Sequence, residues 1–173
     1  VYTRHSYTLN NKIYTHNYSW TQLGQDLVGG DGDQSGKSVS LSADGTIVAI
    51  GAHDYDVISG VISNEGRTRI YKYISSNSPP WTQLGSDIVG ENSDSSGNSV
   101  SLSADGTIVA IGAPKHDAPG GSTNSNSTEG RTRIYQYSSN TSTWSQLGQD
   151  LVGGDGDRSG ISVSLSADGT IVA

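Results

Sequence analysis

The chain has 173 residues and a formal net charge of −7, from ten Lys and Arg against seventeen Asp and Glu. The basic residues form no cluster, which argues against a nucleic-acid-binding protein because phosphate neutralisation needs grouped positive charge. The absence of Cys excludes disulfides and thiolate metal sites, and no apolar run is long enough for a membrane helix.

Residues 10–20 hold the first predicted strands of the chain. Their sequence, NNKIYTHNYSW, aligns with RTRIYKY at 67–73 and RTRIYQY at 131–137, and each of these phrases precedes a Trp. We therefore expect residues 10–37 to be a partial unit that contains the third and fourth strands of a four-stranded repeat.

The first complete predicted unit covers residues 38–98 and begins with an alternating strand. In SVSLS, Val39 and Leu41 share one face and the serines share the other, which is typical of a half-buried strand. The turn ADG at 43–45 suits a tight hairpin because Asp and Gly tolerate positive φ. TIVAIGA at 46–52 then predicts a strand that is buried on both faces.

Two further strands complete the predicted unit. RTRIYKY places its Arg and Tyr side chains on one face, and WTQLG, from Trp81, forms a short fourth strand after a connection of variable length. No stretch combines helical periodicity with strong helix formers, so the sequence predicts an all-β chain. Four antiparallel strands per unit, joined by loops on two sides, indicate the blade of a β-propeller.

The unit recurs through the rest of the chain. SVSLSADGTIVA appears identically at 38–49, 99–110 and 162–173, which predicts a second complete unit at 99–161 and a partial unit with strands one and two at 162–173. The partial units at the two ends would pair into one composite blade. Because propellers usually have about four to eight blades, we expect a single repeat array that is a segment of a longer propeller.

These phrases resemble the FG-GAP repeats, which form seven-bladed propellers in integrin α-chain heads and in many secreted or surface proteins. Gly112, Ala113 and Pro114 supply the GAP motif, and GRTRIYKY and GRTRIYQY match the third strand of the family. Ser-Gly replaces the aromatic-glycine pair in each copy, and SADG is too short for the calcium loop of the integrin-type unit. The resemblance therefore implies a metal-poor propeller unit.

One loop of each unit carries oxygen atoms at alternate positions just before the first strand. The loops read DGDQSG, NSDSSG and DGDRSG, and their candidate calcium ligands are Asp31, Asp33, Ser35, Asn92, Asp94, Asp155 and Asp157. An EF-hand-type loop begins in this way, but Ser replaces its acidic residue at position 12. The alternative is a metal-free hydrogen-bonded turn, which Asp, Asn, Ser and Gly favour. We expect no other cofactor.

The other charged residues do not indicate a catalytic site. Four repeated arginines, which could mimic the carboxylate-binding cluster of a sialidase-like propeller, recur at equivalent strand positions, namely Arg67, Arg69, Arg131 and Arg133. We therefore expect them to form ion pairs with Asp residues between units. His53 and His116 lack metal-ligand spacing and are expected in solvated connections. The sequence predicts no catalytic residue.

Three sequons, at Asn17, Asn126 and Asn140, fall in predicted loops or strand ends. Such positions suit a glycan, which needs an exposed attachment point. A chain this rich in Ser and Thr also produces sequons by chance, so they permit an extracellular glycoprotein without proving one.

Near-identical strands carry dissimilar connections at 55–65 and 115–129. This division favours a non-catalytic binding or adhesion module, extracellular or at the cell surface, whose variable loops bind a protein or glycan ligand. The alternative is a structural building block of an extracellular fibre, appendage or particle, in which copies of the chain bind one another. A propeller glycoside hydrolase is the third hypothesis. Neither nucleic acid nor membrane insertion of this segment is expected.

Overall fold

A computed structural model describes residues 1–9, 12–57, 63–117 and 128–173, with the backbone alone for 4–9 and 12–19. In these ranges the chain forms twelve strands, and every pairing between them is antiparallel. The described residues contain no helix, and hence none that is long and apolar enough to cross a membrane. The prediction of an all-β chain is confirmed.

The strands lie in three sheets. In chain order they are β1 (Tyr2–Leu9), β2 (Lys12–Gln22), β3 (Ser38–Leu41), β4 (Ile47–Ala52), β5 (Arg67–Tyr73), β6 (Trp81–Gln83), β7 (Ile88–Val89), β8 (Ser99–Leu102), β9 (Ile108–Ala113), β10 (Arg131–Ser138), β11 (Thr143–Gln146) and β12 (Leu151–Val152). β1 and β2 form a separate hairpin. The first sheet has the order β3-β4-β5-β6, with β7 also beside β5, and the second has the order β8-β9-β10-β11, with β12 also beside β10.

Both larger sheets follow the predicted unit. Their strands are neighbours in chain order, as expected for SVSLS, TIVAIGA, RTRIYKY and WTQLG. The fourth position is divided in two, because β6 pairs with one half of β5 and β7 pairs with the other half. Each sheet therefore has four strand positions filled by five strands.

The beginning of the chain differs from the prediction. Lys12–Gln22 is one continuous strand, where we expected a third and a fourth strand, and it pairs with Tyr2–Leu9. Tyr2 lies opposite Gln22 as Tyr71 lies opposite Gln83 in the first sheet. The register thus follows Trp and Gln, two residues apart, which all fourth strands share, and residues upstream of Asn10 occupy the third-strand position.

The segment 162–173 forms a short hairpin at the predicted place of strands one and two. The Ser166 amide donates to the Ile171 carbonyl oxygen at 2.8 Å, and the Ala173 amide donates to that of Ser164 at 2.9 Å. Among the described residues this hairpin does not pair with β1 or β2. The predicted composite sheet of the two partial units is therefore not formed within this chain.

The first and second sheets pack face to face around a shared apolar core. Its buried residues are Ile47, Ala49, Ile70 and Ile88 from the first sheet and Val100, Leu102, Val109 and Ile111 from the second. Close packing at the edge requires glycine, because a Cβ on Gly51 would lie 2.0 Å from the Gly97 carbonyl oxygen. Gly112 and Gly160 repeat this contact 61 and 63 residues later.

A Trp indole forms a hydrogen bond across two of the junctions between successive units. The Trp81 indole Nε1–H donates to the Leu23 carbonyl oxygen at 2.6 Å, and that of Trp144 donates to the Leu84 carbonyl oxygen at 2.7 Å. These bonds join each fourth strand to the preceding unit. The repeated sequence thus produces repeated contacts between units.

Candidate functional site

The loops predicted as calcium ligands form hydrogen-bonded turns. In each copy the Asp at the third position accepts a backbone N–H from three residues upstream at 2.8 Å, in the pairs Gly30–Asp33, Glu91–Asp94 and Gly154–Asp157. The first-position residues Asp31, Asn92 and Asp155 are exposed and Ser35 is half-buried. Calcium binding by these loops stays a prediction, because the observed turns are also those of the metal-free alternative.

Asp33 lies in an ion-paired group that we call the first arginine cluster, made of Arg67, Asp33, Asp87 and Tyr55. The Arg67 guanidinium lies 2.5 Å from an Asp33 carboxylate oxygen and 2.9 Å from one of Asp87. The Tyr55 ring covers the guanidinium, with 3.9 Å from its carbon to the ring centroid. The cation therefore joins a loop, a strand and the turn that precedes β7.

The second arginine cluster repeats this arrangement with more charges, and consists of Arg131, Arg133, Asp94, Asp150, Glu91 and His116. Arg131 forms ion pairs with Asp94, with Asp150 at 2.8 Å and with Glu91 at 2.9 Å. His116 Nδ1 lies 2.9 Å from an Asp94 carboxylate oxygen. The predicted ion pairs between the repeated arginines and Asp residues are confirmed in both clusters.

Two residues distinguish the second cluster from the first. Glu91 stands where the other copies have glycine, in WTQLGSDIVGE against WTQLGQDLVGG and WSQLGQDLVGG. His116 takes the place of Tyr55, since the Gly130 amide donates to the His116 carbonyl oxygen as the Gly66 amide donates to that of Tyr55. The prediction that His116 lies in a solvated connection is wrong, because its side chain packs into the cluster and is buried. His53 is half-buried, 3.4 Å from Asp54.

The alignment of the repeats could have identified one of these two residues, Glu91, as unusual. A charged side chain in place of a glycine marks Glu91 as a departure from the repeat. The burial of His116 had no such signal, because it depends on the adjoining loop that carries Asp94.

The charges of the second cluster stabilise one another. A hydrogen bond from Arg133 is the main reason that the pKa of Glu91 lies below its usual range. Burial alone would lower the pKa of Arg133, but its hydrogen bonds to Asp150 and Glu91 outweigh burial and raise that pKa. Burial alone would raise the pKa of Asp150, but the bonds from Arg133 and Gln146 lower it. These three groups remain charged at neutral pH.

Glu91, Asp94 and His116 have the donor types of a metal site, with ligand atoms within 4.8 Å of one another. Arg131 already forms ion pairs with both carboxylates. A divalent cation would have to displace a guanidinium that is itself buried, which is costly. The geometry therefore fits a structural ion-pair network better than a metal centre.

In the three SADGT turns, at the opposite end of the sheets, the Asp carboxylate accepts hydrogen bonds from residues of the same turn. Asp44 accepts hydrogen bonds from the Ser42 hydroxyl at 2.7 Å and from the Thr46 amide at 3.0 Å. These bonds, that of Ser42 first, lower the pKa of Asp44 to about 2. The equivalent bonds in the third copy lower the pKa of Asp168 to about 2.

A cavity of about 420 Å³ adjoins the second cluster. Its lining combines apolar, polar and cationic groups, and consists of Ser93, Asn98, Pro114, Lys115, Thr128, Arg158 and Ile161. Neither Lys115 nor Arg158 forms an ion pair within the part of the chain that the structure describes. At the equivalent positions of the preceding unit stand Asp54 and Ser95. The two cationic side chains in this cavity, Lys115 and Arg158, are thus specific to one junction.

The sequons occupy different environments. Asn140 is exposed in the turn between β10 and β11, which fits a glycan attachment point. Asn17 lies in β2, where only the backbone is described, and Asn126 lies outside the described residues. Use of the three sequons stays a prediction.

Comparison with known proteins gives no family assignment. No protein-family model matches the chain, and no curated protein matches it. Among solved structures, the chain is similar to a periplasmic gluconolactonase of Pseudomonas aeruginosa, with a TM-score of 0.38 and 13% identity over 75% of this chain. The match spans 32% of the length of that enzyme. A likeness of this size assigns neither a fold family nor an activity.

Proposed function

We propose that the chain is a segment of an FG-GAP-like β-propeller and acts as a non-catalytic binding module, extracellular or at the cell surface. Sheets of four strand positions, antiparallel and in chain order, support the propeller because this is the construction of a blade. Their face-to-face packing around a shared core also supports it. The repeated charged residues support a non-catalytic role, because they form ion pairs with one another in both clusters.

One observation carries the proposal: the connections at the two ends of the sheets differ in length. At one end the β3–β4 and β8–β9 turns are identical SADGT sequences with the same internal hydrogen bonds, and the β5–β6 and β10–β11 connections beside them, although different in sequence, are shorter than those at the opposite end. At the other end, which we call the variable edge, the β4–β5 and β9–β10 connections meet the loops that precede the next unit. The Ser93 amide donates to the Ser63 carbonyl oxygen at 2.7 Å, and the Ser159 amide to that of Glu129 at 2.8 Å.

This arrangement places sequence variation on a rigid support. The loops of neighbouring units lie side by side at the variable edge, so a ligand could contact more than one unit. The cationic cavity lies there, with Lys115 and Arg158 in its lining. A ligand that carries carboxylate or sulfate groups suits these side chains.

A binding experiment with two double variants tests the proposal. The labelled chain would be applied to immobilised glycans, both neutral and bearing carboxylate or sulfate groups. We expect binding to anionic glycans that is lost in Lys115→Ala/Arg158→Ala. The matched control, Lys37→Ala/Lys72→Ala, removes the same charge from exposed sites outside the cavity and should bind as the parent does. Equal loss in both variants would indicate only a nonspecific charge effect and would contradict the proposal.

A structural building block of a larger assembly is the second candidate. It is favoured by the near-identity of the units and by the contact between Gly51 and Gly97, which Gly112 and Gly160 repeat in the next unit. Electron microscopy of the chain at high concentration distinguishes the two functions. Continuous filaments would support the structural role, and discrete particles would support the binding module.

A further inference from the structure

One side chain beside the junction Trp differs between the first and the second junction. Trp81 and Trp144 make the same indole hydrogen bond to the preceding unit. The residue that follows the Leu-Gly pair of that preceding unit is Gln25 at the first junction and Ser86 at the second. The third copy has glutamine as well, so the serine is the departure from the repeat.

At the first junction the glutamine bonds to both backbone polar groups of the Trp. The Gln25 Nε2 donates to the Trp81 carbonyl oxygen at 2.8 Å, and the Gln25 Oε1 accepts from the Trp81 amide at 3.2 Å. β6, which carries this Trp, lies at the edge of its sheet, where no other described strand supplies such bonds. The carboxamide therefore takes the place of a neighbouring strand at this residue.

The same two backbone groups lack such a partner at the second junction. Trp144 lies opposite Tyr137 in the pairing of β10 and β11, and the Tyr137 amide donates away from β11, to the Thr107 carbonyl oxygen at 2.9 Å. Pairs of this kind direct their backbone groups away from each other, so the N–H and C=O of Trp144 point outward from the sheet. No side chain in the described part of the chain bonds to either group.

A pocket of about 350 Å³ lies at this place, and Ser86, Tyr135 and Trp144 are among its lining residues. Trp144 is half-buried here, whereas Trp81 is buried at the first junction. The replacement of a long polar side chain by a short one has thus left a pocket with aromatic walls and two outward-pointing backbone groups of a strand edge.

We infer that this pocket binds the side-chain carboxamide of a glutamine on a partner protein, in the position that Gln25 takes at the first junction. A carboxamide presents an acceptor oxygen and a donor N–H side by side, and it can therefore bond to both groups of one extended residue, as Gln25 does with Trp81. A trans peptide group holds its N–H and C=O on opposite sides and cannot do so. A carboxylate has no donor for the Trp144 carbonyl oxygen.

The charged group in the lining of the pocket is already paired. Asp87 accepts hydrogen bonds from the Gln83 side chain at 2.7 Å and from Arg67 at 2.9 Å. It therefore does not select a cationic ligand, and the selectivity of the pocket rests on the backbone of Trp144. The pocket shares no lining residue with the cationic cavity, so this site does not depend on the anionic ligand proposed for that cavity.

An NMR titration of the isotope-labelled chain tests the inference through the backbone amide of Trp144. The probe is N-acetyl-L-glutamine N-methylamide. The control probe is its Nε,Nε-dimethyl derivative, which keeps the carbonyl oxygen and both peptide groups but has no side-chain N–H. We expect a saturable shift of the Trp144 amide with the probe and none with the control. Equal shifts with both compounds, or no shift up to the solubility limit of the probe, would overturn the inference.

Two reciprocal substitutions locate the site. Ser86→Gln supplies the side chain of the first junction, and it should abolish the shift of Trp144 and protect that amide from hydrogen exchange. Gln25→Ser opens the first junction and should produce a shift of the Trp81 amide that the parent lacks. The matched control is Ser76→Gln, at an exposed serine outside the pocket, and it should bind as the parent does. Thermal unfolding confirms that each variant is folded, and a shift of Trp144 that persists in folded Ser86→Gln would contradict the inference.

Discussion

The two arginine clusters have the same framework, but they differ in burial and in charge. Arg67 and Asp33 of the first cluster retain 12% and 10% side-chain exposure, whereas Arg131 and Asp94 of the second retain 3% and 2%. Glu91 and His116 add contacts in the second cluster that Gly30 and Tyr55 do not supply. Two substitutions in a repeat have thus changed the electrostatic environment of an arginine without changing the strands that carry it.

The difference in burial sets the expected cost of breaking each cluster. A carboxylate left without its cation is costly in proportion to its isolation from water. Asp94 would be left almost fully buried by the loss of Arg131, although His116 would still contact it. Variants in the two clusters therefore measure how burial changes the cost of losing the arginine, which the repeated sequence alone does not determine.

The largest effect is expected from Arg131→Met. It should lower the free energy of unfolding by about 3–5 kcal/mol, as for other buried pairs that lose one partner. Arg67→Met should cost less, because water can reach Asp33 more readily. Urea unfolding of both variants measures the difference, and the double variant Arg131→Met/Asp94→Leu should recover much of the loss. Equal losses at the two arginines would contradict the comparison.

A second prediction concerns Gly51 and Gly112, which make equivalent close contacts in the two units. Gly51→Ala and Gly112→Ala each place a Cβ about 2.0 Å from a carbonyl oxygen of the loop that precedes the next unit. Each should lower the free energy of unfolding by about 1–3 kcal/mol, as overpacking usually does. The two losses should be similar, because the contacts are. A loss at only one of the two positions in urea unfolding would show that the junctions are not equivalent.

Glu91→Gly makes the second cluster resemble the first, with a smaller expected effect. Its carboxylate is 59% exposed, so the ion pairs with Arg131 and Arg133 should contribute only about 0.2–1 kcal/mol. The loss should shrink as salt is added, because exposed ion pairs are screened. A loss in urea unfolding that is insensitive to salt would indicate a packing role for Glu91 instead.

The smallest effect is expected at the SADGT turns and should be the same in different units. Hydrogen bonds from the Ser103 hydroxyl and the Thr107 amide lower the pKa of Asp105 in the folded chain. Its ionised form therefore contributes stability above its unfolded pKa of about 3.9, and this contribution is lost as pH falls through the lower folded pKa. Asp105→Asn should reduce the fall in melting temperature on acidification below about pH 4.

Asp44→Asn is the equivalent substitution in the first copy, where the Asp accepts the same hydrogen bonds. The two variants should give parallel melting curves against pH. A pH dependence that is unchanged in both would show that these turns do not contribute to acid sensitivity.

The strands were predictable because local sequence decides them. The alternation in SVSLS and the β-branched run in TIVAIGA predict strands, and both complete units form the expected pairs. The start of the chain was mispredicted because KIY at 12–14 resembles RIY, while the pairing follows WTQ at 20–22. Similarity within a strand does not determine its partner, since register depends on the neighbouring chain.

The site was predictable in part, for a related reason. The arginines recur, so their pairing with Asp residues could be inferred from the repeat alone. The burial of His116 could not, because it requires Asp94 from a loop 22 residues upstream to lie beside it. The role of a residue that departs from the repeat can be assigned only when its contacts with the neighbouring unit are known.

The central claim is that each sheet is held by its neighbour through contacts that the repeat reproduces, and the three Trp side chains test it most directly. Trp81 is 2% exposed, Trp20 is 65% exposed, and the Trp81 and Trp144 indoles donate across junctions. Hydrogen exchange followed by NMR should show two protected indole N–H signals and a rapidly exchanging one from Trp20. Three signals that exchange at the same rate would contradict the account.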